Sequence, residues 1–352
     1  MTNVRDLFSM EDFNKAVDDG FLSVKVHPTD ERDILCYTPK ASYTNDAFNN
    51  PAVRHSRGLI VDHSGSILAR PWSKFFNYNQ EGADKIDLDE PVVVMDKADG
   101  SLVILYPDGE GYSLATKGSF TSEQSRHGTS VWNAKYGGKV EPLPGYTFLF
   151  EVVYRENKIV VDYGDMDDLV LLGAVEIDTG FYFASDEASA MLGWTGQIAK
   201  VFPYKTLREA LEAPPRENAE GFVILAADHK RMVKYKYEDY LYLHRMVSNL
   251  TPRNVWERLY NKESGSDIVG SYPDEFQDEV TEYIDKIKVE FSDYIFQVAL
   301  VYDSMKHIAS QKDFAQEALK YPYSAELFLL RQNKDIFQTV MKRIYPPAID
   351  KS

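Results

Sequence analysis

The chain has 352 residues, 44% of them hydrophobic and 27% charged, which is long enough for two domains and typical of globular rather than disordered proteins. No stretch approaches the roughly 18 consecutive apolar residues that a membrane-spanning helix needs, so we expect a cytoplasmic protein with no membrane partner. The formal net charge of −16 excludes a broadly basic surface, and any cations that bind phosphate must be concentrated in a cleft. The single cysteine, Cys36, excludes an internal disulfide and a cysteine-based zinc site.

The predicted elements begin with a helical stretch over residues 1–20 and continue with a β-rich region over about 31–237. Short apolar or alternating runs are separated there by Gly, Pro, Asn and Asp, as is typical of strands joined by turns. The clearest predicted strands are 58–61, 92–95, 102–106, 112–116, 147–154, 159–163, 169–175, 222–226 and 232–237. We expect helices near 121–136 and 205–213.

After about residue 238 the apolar pattern changes from strand-like to helical. Apolar residues recur at spacings of three and four from Val280 to Met305, which predicts one long amphipathic helix. Shorter helical patterns follow at 312–320, 324–332 and 334–344, and the prolines at 346–347 end the last one. The sequence therefore predicts an α+β body, residues 1–240, followed by an all-helical domain, residues 241–352.

A lysine in a short turn is the first chemical signal. Residues 92–106 read VVVMDKADGSLVILY, so Lys97 lies between two strand-like runs, at the rim of a sheet. The signatures GxxxxGK[ST] and GxGxxG are absent, so a bound nucleotide would have to be held by side chains. A neutral lysine amine is a useful covalent nucleophile, but for an isolated KxDG pattern a hairpin with a solvated lysine is the plainer alternative.

Further segments accompany this turn in a fixed order along the chain. They are 97–100 (KADG), 148–154 (FLFEVVY) with Glu151, 169–176 (LVLLGAVE), 220–223 (EGFV) and 232–236 (MVKYK). Together they resemble the signature of the covalent nucleotidyltransferases, the superfamily of ATP-dependent ligases and mRNA capping enzymes.

A closer resemblance, which covers essentially the whole chain, is to the bacteriophage RNA ligase 1 family. It rests on 35–37 (LCY), 41–43 (ASY), 56–60 (SRGLI), 70–77 (RPWSKFFN), 116–119 (TKGS), 122–124 (SEQ), Tyr240 and His244. The resemblance implies a nucleotidyltransferase (ATP-grasp-like ligase) domain of antiparallel sheets flanked by helices, then an all-helical domain that could recognise RNA or serve packing. DNA ligases and capping enzymes usually carry an OB-fold in that place, and residues 241–352 show no run of short strands.

The resemblance also implies a reaction. Lys97 would take AMP from ATP, pass it to an RNA 5′-phosphate, and an RNA 3′-hydroxyl would then displace it. Cleaved tRNA is a candidate substrate, and an end-healing kinase/phosphatase is a candidate partner during phage infection. The alternatives left open are a noncatalytic RNA-end-binding module and, within enzymes, a DNA ligase or a capping-type guanylyltransferase.

The roles implied for individual residues fall into three groups. The cations expected around the triphosphate are Arg57, Lys74, Lys234 and Lys236, and they would favour the neutral amine of Lys97. The pair in KYK shares one strand face, for which a solvated face is the alternative. The nucleotide pocket would include Tyr37, Phe76 and Lys117, although Phe76 suits a core equally well.

The third group concerns metal and the lysine turn. Glu151 and Glu220 are the expected anchors of Mg²⁺, with Mn²⁺ as an alternative, because both ions bind oxygen ligands. Tyr240 is expected to hydrogen-bond the water shell of that ion, and Asp267 falls near a position where the family holds a second metal. Asp99 should hold the lysine turn or its ammonium, and Gly100 should allow an approach that a Cβ would block.

Overall fold

The computed structural model of the chain describes residues 2–42, 44 and 46–344, and only the backbone of residues 274–275. Tyr43, in the segment that resembles the family's tyrosine element, lies outside the described residues. The prolines at 346–347, expected to end the last helix, lie outside them as well.

The chain divides into two units, Met1–Val247 and Ser248–Ser352. The first contains all the strands of the described residues, and the described elements of the second are helices. The boundary expected after residue 240 falls within the helix Glu238–Val247. That helix stays with the first unit because Tyr240 is buried in the unit's hydrophobic core.

The strands of the first unit are β1 (Leu22–Val26), β2 (Arg32–Tyr37), β3 (Arg57–Asp62), β4 (Ile67–Ala69), β5 (Phe76–Asn77), β6 (Val92–Asp96), β7 (Ser101–Asp108), β8 (Gly111–Thr116), β9 (Tyr146–Val153), β10 (Asp168–Glu176), β11 (Tyr182–Phe183), β12 (Gln197–Ile198), β13 (Val201–Phe202), β14 (Gly221–Ala226) and β15 (Met232–Lys236). Within the described residues they form three sheets, with the orders β1-β2-β3-β4, β11-β10-β9-β7-β8 and β13-β6-β14-β15-β5. Pairing is antiparallel apart from β15 with β5 and β12 with β10. The predicted α+β fold with antiparallel sheets is confirmed.

Helices accompany these sheets in the first unit. They are α1 (Met10–Asp18), α2 (Pro39–Ser42), α3 (Pro51–His55), α4 (Glu123–Val131), α5 (Ser185–Leu192), α6 (Leu207–Glu212) and α7 (Glu238–Val247). Ser9, Ser122 and Thr206 cap α1, α4 and α6, each accepting a hydrogen bond from a backbone N–H of the first turn. These caps explain why helices begin there despite few apolar residues.

Alternation along β9 and β10 fixes which residues face the centre of the first unit. In β10, Leu169 and Leu171 pack in the cluster beneath α4 and α5, while Val170 and Leu172 face the cluster between the sheets. Both faces of β10 are therefore buried, which explains its continuous apolar run. The same alternation turns Glu151 of β9 to the side of Leu149, towards the central cluster.

One predicted strand is wrong. Residues 159–163 form an irregular segment, because the N–H groups of Val160 and Val161 donate to the Asp99 carboxylate instead of to a neighbouring strand. The other predicted strands and both predicted helices of this region are confirmed to within a few residues. The strands β1, β4, β5 and β11–β13 and the helices α2, α3 and α5 were not predicted.

The second unit consists of α8 (Pro252–Tyr260), α9 (Gly265–Gly270), α10 (Asp274–Met305), α11 (Gln311–Ala318), α12 (Ser324–Arg331) and α13 (Phe337–Arg343). The long amphipathic helix is confirmed as α10, whose buried side includes Val280, Ile284 and Val298. Among the described residues, no helix combines the length and the apolarity needed to cross a bilayer.

Candidate active site

Lys97 lies where the chain passes from one sheet to another. The strand before it, β6, pairs with β13 and β14, whereas the strand after it, β7, pairs with β8 and β9. The hairpin alternative is therefore wrong, since β6 and β7 do not pair with each other. The N–H of Lys97 donates to the carbonyl of Gly221 (3.1 Å), which ties the turn to the start of β14.

Asp99 holds this turn from the buried side, with only 3% of its surface exposed. Its Oδ2 accepts the N–H groups of Val160 (2.9 Å) and Val161 (2.8 Å), and its Oδ1 accepts the hydroxyl of Tyr240 (2.8 Å). Its own N–H donates to the Tyr163 hydroxyl (2.8 Å). Of the two roles expected for Asp99, these contacts support the holding of the turn.

Gly100 lies against the backbone of β9. A Cβ at this position would come within 2.7 Å of the Val152 carbonyl oxygen and 3.1 Å of Glu151 Cγ. The first distance is shorter than real Cβ contacts, and backbone cannot yield as a flexible side chain can. The close approach expected here is present, and it brings the lysine turn directly beside Glu151.

Lys97 belongs to a lysine–carboxylate–lysine cluster with Glu220 and Lys236. Lys97 Nζ lies 2.9 Å from Glu220 Oε1, and Lys236 Nζ lies 3.0 Å from the same oxygen. Glu220 directly precedes β14 and is 2% exposed. Lys236, the last residue of β15, pairs with Gly221, the first residue of β14. Burial disfavours the charged carboxylate, but the two ammonium groups outweigh it and hold the pKa of Glu220 below its ordinary value.

Glu151 is buried next to this cluster. Burial raises the pKa of Glu151 to about 8; the Lys97 ammonium opposes the shift, and the carboxylates of Glu220 and Asp99 add to it. A buried carboxyl group with too little positive charge around it is one that a divalent cation would stabilise in its charged form. Glu151 therefore fits the expected metal, whereas Glu220 is already engaged by two lysines.

The lysines of the KYK segment are both buried. Lys234 is 9% exposed as a residue and the Lys236 side chain is 8% exposed. They stand two positions apart in β15, so they share one face of the strand. The alternative of a solvated strand face is wrong, and two cations are held inside the first unit.

Arg57, the first residue of β3, is a further cation expected at the site. Its guanidinium carbon lies 5.3 Å from the centroid of the Phe75 ring. Its Nη1 is buried and has no hydrogen-bond partner among the described residues. A buried donor without a partner is costly, and it is suited to an anionic group that arrives with a ligand.

Lys74, expected near the triphosphate, lies among aromatic rings. Its amine lies 5.5 Å, 5.4 Å and 5.2 Å from the ring centroids of Tyr37, Phe48 and Phe76, and the residue is 4% exposed. Lys117 also approaches Tyr37, at 5.3 Å. The ammonium is stabilised by ring faces, and Phe76 is at once a buried core residue and part of this group.

The expected metal roles of two residues gain no support. The hydroxyl of Tyr240 is directed to Asp99, as described above, so Tyr240 supports the lysine turn. Asp267, in the second unit, is exposed, and its Oδ2 accepts the hydroxyl of Ser264 (2.6 Å) at the start of α9. Ser264 in turn caps α9 by accepting the N–H of Asp267 (3.1 Å), and Ile268 beside it is buried and apolar.

One group of three metal-type ligands lies elsewhere in the part of the chain that the structure describes. It consists of His27, Asp30 and Asp108, whose ligand atoms lie within 4.8 Å of one another. Arg32 already occupies it, donating to Asp30 (2.7 Å) and to Asp108 (2.7 Å). We therefore interpret it as an ion-pair cluster.

Two residues near the site were not predicted from the sequence. Phe48 completes the ring group around Lys74, and Arg216 contacts the segments that carry the charged cluster. Neither lies in a motif, and an arginine in a polar loop has the same sequence signature as a surface arginine. A contact map would have been needed to find them.

Comparison with known protein families gives a match to one model. The model describes an RNA ligase family and matches residues 55–246. That range is more than half of the chain, and it contains Lys97, Glu151, Glu220 and both buried lysines of β15.

Curated relatives carry related names. The chain is 26% identical over 254 residues to RNA ligase 1 of bacteriophage TS2126, covering 65% of this chain and 60% of that protein. It is 24% identical over 333 residues to an RNA ligase of Rhodothermus phage RM378, with 72% and 73% covered. A putative bifunctional polynucleotide kinase/RNA ligase of the Autographa californica nuclear polyhedrosis virus is 24% identical over 278 residues, with 71% and 39% covered.

Solved structures with a partial likeness include two of Naegleria gruberi RNA ligase mutants. The likeness to the mutant with AMP and Mn has a TM-score of 0.34 and 14% identity, covering 45% of this chain and 53% of that one. The likeness to a mutant with ATP and Mn has a TM-score of 0.36 and 15% identity, and it covers 45% of this chain and 52% of that one.

Proposed function

Because this chain belongs to the RNA ligase family, we propose that it is an ATP-dependent RNA ligase that joins 3′-hydroxyl and 5′-phosphate ends. The observation that carries the proposal is the Lys97 amine, 2.9 Å from the buried Glu220 carboxylate that Lys236 also contacts. Glu151 lies beside the same turn. Burial of the cluster and the fixed lysine turn keep the amine close to the place where a phosphate could bind.

The first step would load the enzyme with AMP. Lys97 Nζ attacks the α-phosphorus of ATP, a nitrogen–phosphorus bond forms, the phosphorus–oxygen bond to pyrophosphate breaks, and the amine loses a proton. Before the attack, the Lys97 ammonium must separate from Glu220 and give a proton to water, because an ammonium has no free electron pair. An incoming triphosphate would compete with Glu220 for the lysine cations and so favour this release.

The next two steps would transfer AMP and seal the RNA. An oxygen of the RNA 5′-phosphate attacks the phosphorus bound to Lys97, and the amine leaves. The RNA 3′-hydroxyl then attacks the activated 5′-phosphate, forming the phosphodiester bond and releasing AMP. Each step is a displacement at phosphorus, in which positioning and charge neutralisation dominate.

The cations of the site fit such chemistry. Arg57 offers a buried donor, and Lys234 and Lys236 are buried on one strand face. We propose that these three bind phosphate oxygens. Lys74 and its surrounding rings would form a wall of the nucleotide pocket together with Lys117, a role closer to shape than to phosphate contact.

We propose a divalent cation, Mg²⁺ or Mn²⁺, held by Glu151 and, once the lysines turn to phosphate, by Glu220. The raised pKa of Glu151 supports this assignment, because burial outweighs the positive charge of nearby Lys97 and leaves a carboxyl group that a cation would stabilise in its charged form. When bound, the ion would neutralise developing charge on the phosphate. Tyr240 would act on Asp99 rather than on the ion.

The natural RNA substrate and its partners belong to the same proposal. We propose cleaved tRNA as a natural substrate and the cytoplasm of an infected cell as the location. The name of the baculoviral relative joins a polynucleotide kinase to an RNA ligase, which supports cooperation with an end-healing kinase/phosphatase. For residues 241–352 we propose a role in recognising RNA structure, with a role in packing as the alternative.

Ligation assays test the proposal. The protein is incubated with ATP and Mg²⁺ and, in turn, single-stranded RNA, a nicked RNA duplex, a nicked DNA duplex and a cleaved tRNA anticodon loop. We expect sealing of RNA with 5′-phosphate and 3′-hydroxyl ends. Exclusive sealing of DNA, or label retained from GTP but not from ATP, would contradict it, and binding of RNA ends without sealing would indicate a noncatalytic module.

A further inference from the structure

Arg216 lies in the loop between α6 and β14 and contacts three segments at once. Its Nη2 donates to Asp96 Oδ1 (2.6 Å) and to the Gly221 carbonyl (3.0 Å), and its Nε donates to the Tyr237 hydroxyl (3.1 Å). Asp96 ends β6, Gly221 begins β14, and Tyr237 directly follows β15. One guanidinium therefore joins three strands of the same sheet at one end.

These partners stand next to the charged cluster in sequence. One directly precedes Lys97, one directly follows Glu220, and one directly follows Lys236. The main-chain link is closer still, because the carbonyl of Gly221 that accepts from Arg216 also accepts the N–H of Lys97 (3.1 Å). A shift of that carbonyl would displace the backbone of the lysine turn.

The guanidinium itself is fixed by aromatic rings. Its carbon lies 4.5 Å, 5.1 Å and 5.7 Å from the ring centroids of Phe202, Phe222 and Tyr237. A planar fork that stacks on rings and donates in three directions is a property of arginine, which lysine cannot reproduce. The contacts are therefore specific for arginine.

We infer that Arg216 is a positioning residue that fixes the Lys97 amine relative to Glu220 and Lys236 for enzyme adenylylation. The inference rests on the proposed function. It applies to the step in which the Lys97 nitrogen–phosphorus bond forms as the bond to pyrophosphate breaks and the amine proton is lost. Sealing of RNA that already carries a 5′-adenylate does not use Lys97 as a nucleophile, so it should depend much less on Arg216.

The test compares Arg216→Met and Arg216→Lys with the wild-type protein. Three quantities are measured: the single-turnover rate of lysine–AMP formation, the Kd for ATP, and the rate of sealing pre-adenylylated RNA. For Arg216→Met we expect a loss of about 100-fold in adenylylation, the size typical of a misplacement of roughly 1 Å. The Kd for ATP and the sealing rate should change little, and Arg216→Lys should recover only part of the loss.

Arg208→Met is the matched control. Arg208 also makes a two-pronged pair, with Asp89 at 2.9 Å and 3.1 Å, but on the surface and in contact with none of the cluster. It should behave as the wild-type protein does. If Arg216→Met fails to fold, Tyr237→Phe, which removes one contact, should show a smaller loss confined to adenylylation.

Two results would overturn the inference. One is adenylylation by Arg216→Met at the rate of Arg208→Met. The other is a parallel loss of adenylylation and of pre-adenylylated RNA sealing, which would indicate general disruption. If the wild-type protein forms no lysine–AMP adduct, the proposed function fails instead, so the two failures are distinguishable.

Discussion

Glu220 holds two lysine amines in this structure, so its removal affects more than a metal. Glu220→Ala takes away the buried carboxylate shared by Lys97 and Lys236. Removing one partner of a buried ion pair typically costs about 3–5 kcal/mol, because the other charge is left uncompensated. We expect the free energy of unfolding to fall by that order, and we expect adenylylation to be lost. Glu220→Gln keeps an oxygen acceptor and should lose less stability.

Urea unfolding and labelled-ATP assays on both Glu220 variants check this prediction. Exposed Glu217, in the loop just before it, offers the control variant Glu217→Ala, for which we expect little change. A fully stable Glu220→Ala protein that adenylylates at the wild-type rate would remove Glu220 from the site.

Gly100 tests the packing of the lysine turn. Gly100→Ala would place a Cβ 2.7 Å from the Val152 carbonyl oxygen, so the turn must move away from β9. We expect a loss of adenylylation of about 100-fold, as for a misplacement of roughly 1 Å. In the control Gly111→Ala, the added Cβ meets its nearest neighbouring atom, the Asp108 carbonyl oxygen, at 3.9 Å, and this variant should be active. Unimpaired Gly100→Ala would show that the turn has more room than the structure gives it.

Tyr240 distinguishes support of the turn from contact with a metal's water shell. Tyr240→Phe removes a hydrogen bond to the charged Asp99, which typically contributes about 1.5–3 kcal/mol. We expect lower stability and slower adenylylation with the same Mg²⁺ concentration at half-maximal rate. Tyr242→Phe, on an exposed position of the same helix, is the control. A raised Mg²⁺ requirement with unchanged stability would restore the water-shell role.

At the scale of elements, the sequence predicted those strands whose own apolar pattern decides their structure. β9 and β10 are examples, since both are long and apolar. Residues 159–163 have an equally suitable pattern, but the buried carboxylate of Asp99, about sixty positions earlier, takes two of their N–H groups. Such a contact has no local signal, and strands of two or three residues have no periodicity to detect.

The end of α3 gives a prediction about pH. His55 Nδ1 lies 2.8 Å from the Ser73 hydroxyl, and burial, with Arg70 and Arg54 adding to it, lowers the pKa of His55 to about 4. Between that value and the ordinary one of about 6.5, the unfolded chain binds a proton that the folded chain does not. The free energy of unfolding should therefore fall as the pH falls through this window.

His55→Asn should remove this contribution, which is on the order of 2–3 kcal/mol between pH 7 and about 4. Urea unfolding at several pH values measures it, and the variant should lose less stability on acidification than the wild-type protein. Exposed His63 provides the control His63→Asn, for which the pH slope should stay as in the wild type. Equal slopes for His55→Asn and the wild type would contradict the prediction.

At the scale of the whole molecule, the net charge is −16, yet cations suited to bind phosphate are present because they are buried in the first unit. Lys74, Lys234 and Lys236 are almost inaccessible in the first unit, so the summed charge says little about the site. The order of the motifs predicted that Lys97, Glu220 and Lys236 come together. It could not predict Phe48 beside Lys74 or the contacts of Arg216, because both depend on how distant segments pack.

Mapping of a covalent adduct tests the central claim most directly. The protein is incubated with ATP and Mg²⁺, without RNA, and the intact mass and the modified peptide are determined by mass spectrometry. We predict one AMP per chain, attached to the peptide that contains Lys97, and no adduct on Lys97→Ala. An adduct on another residue, or one that persists in Lys97→Ala, would contradict the role of Lys97 as the nucleophile.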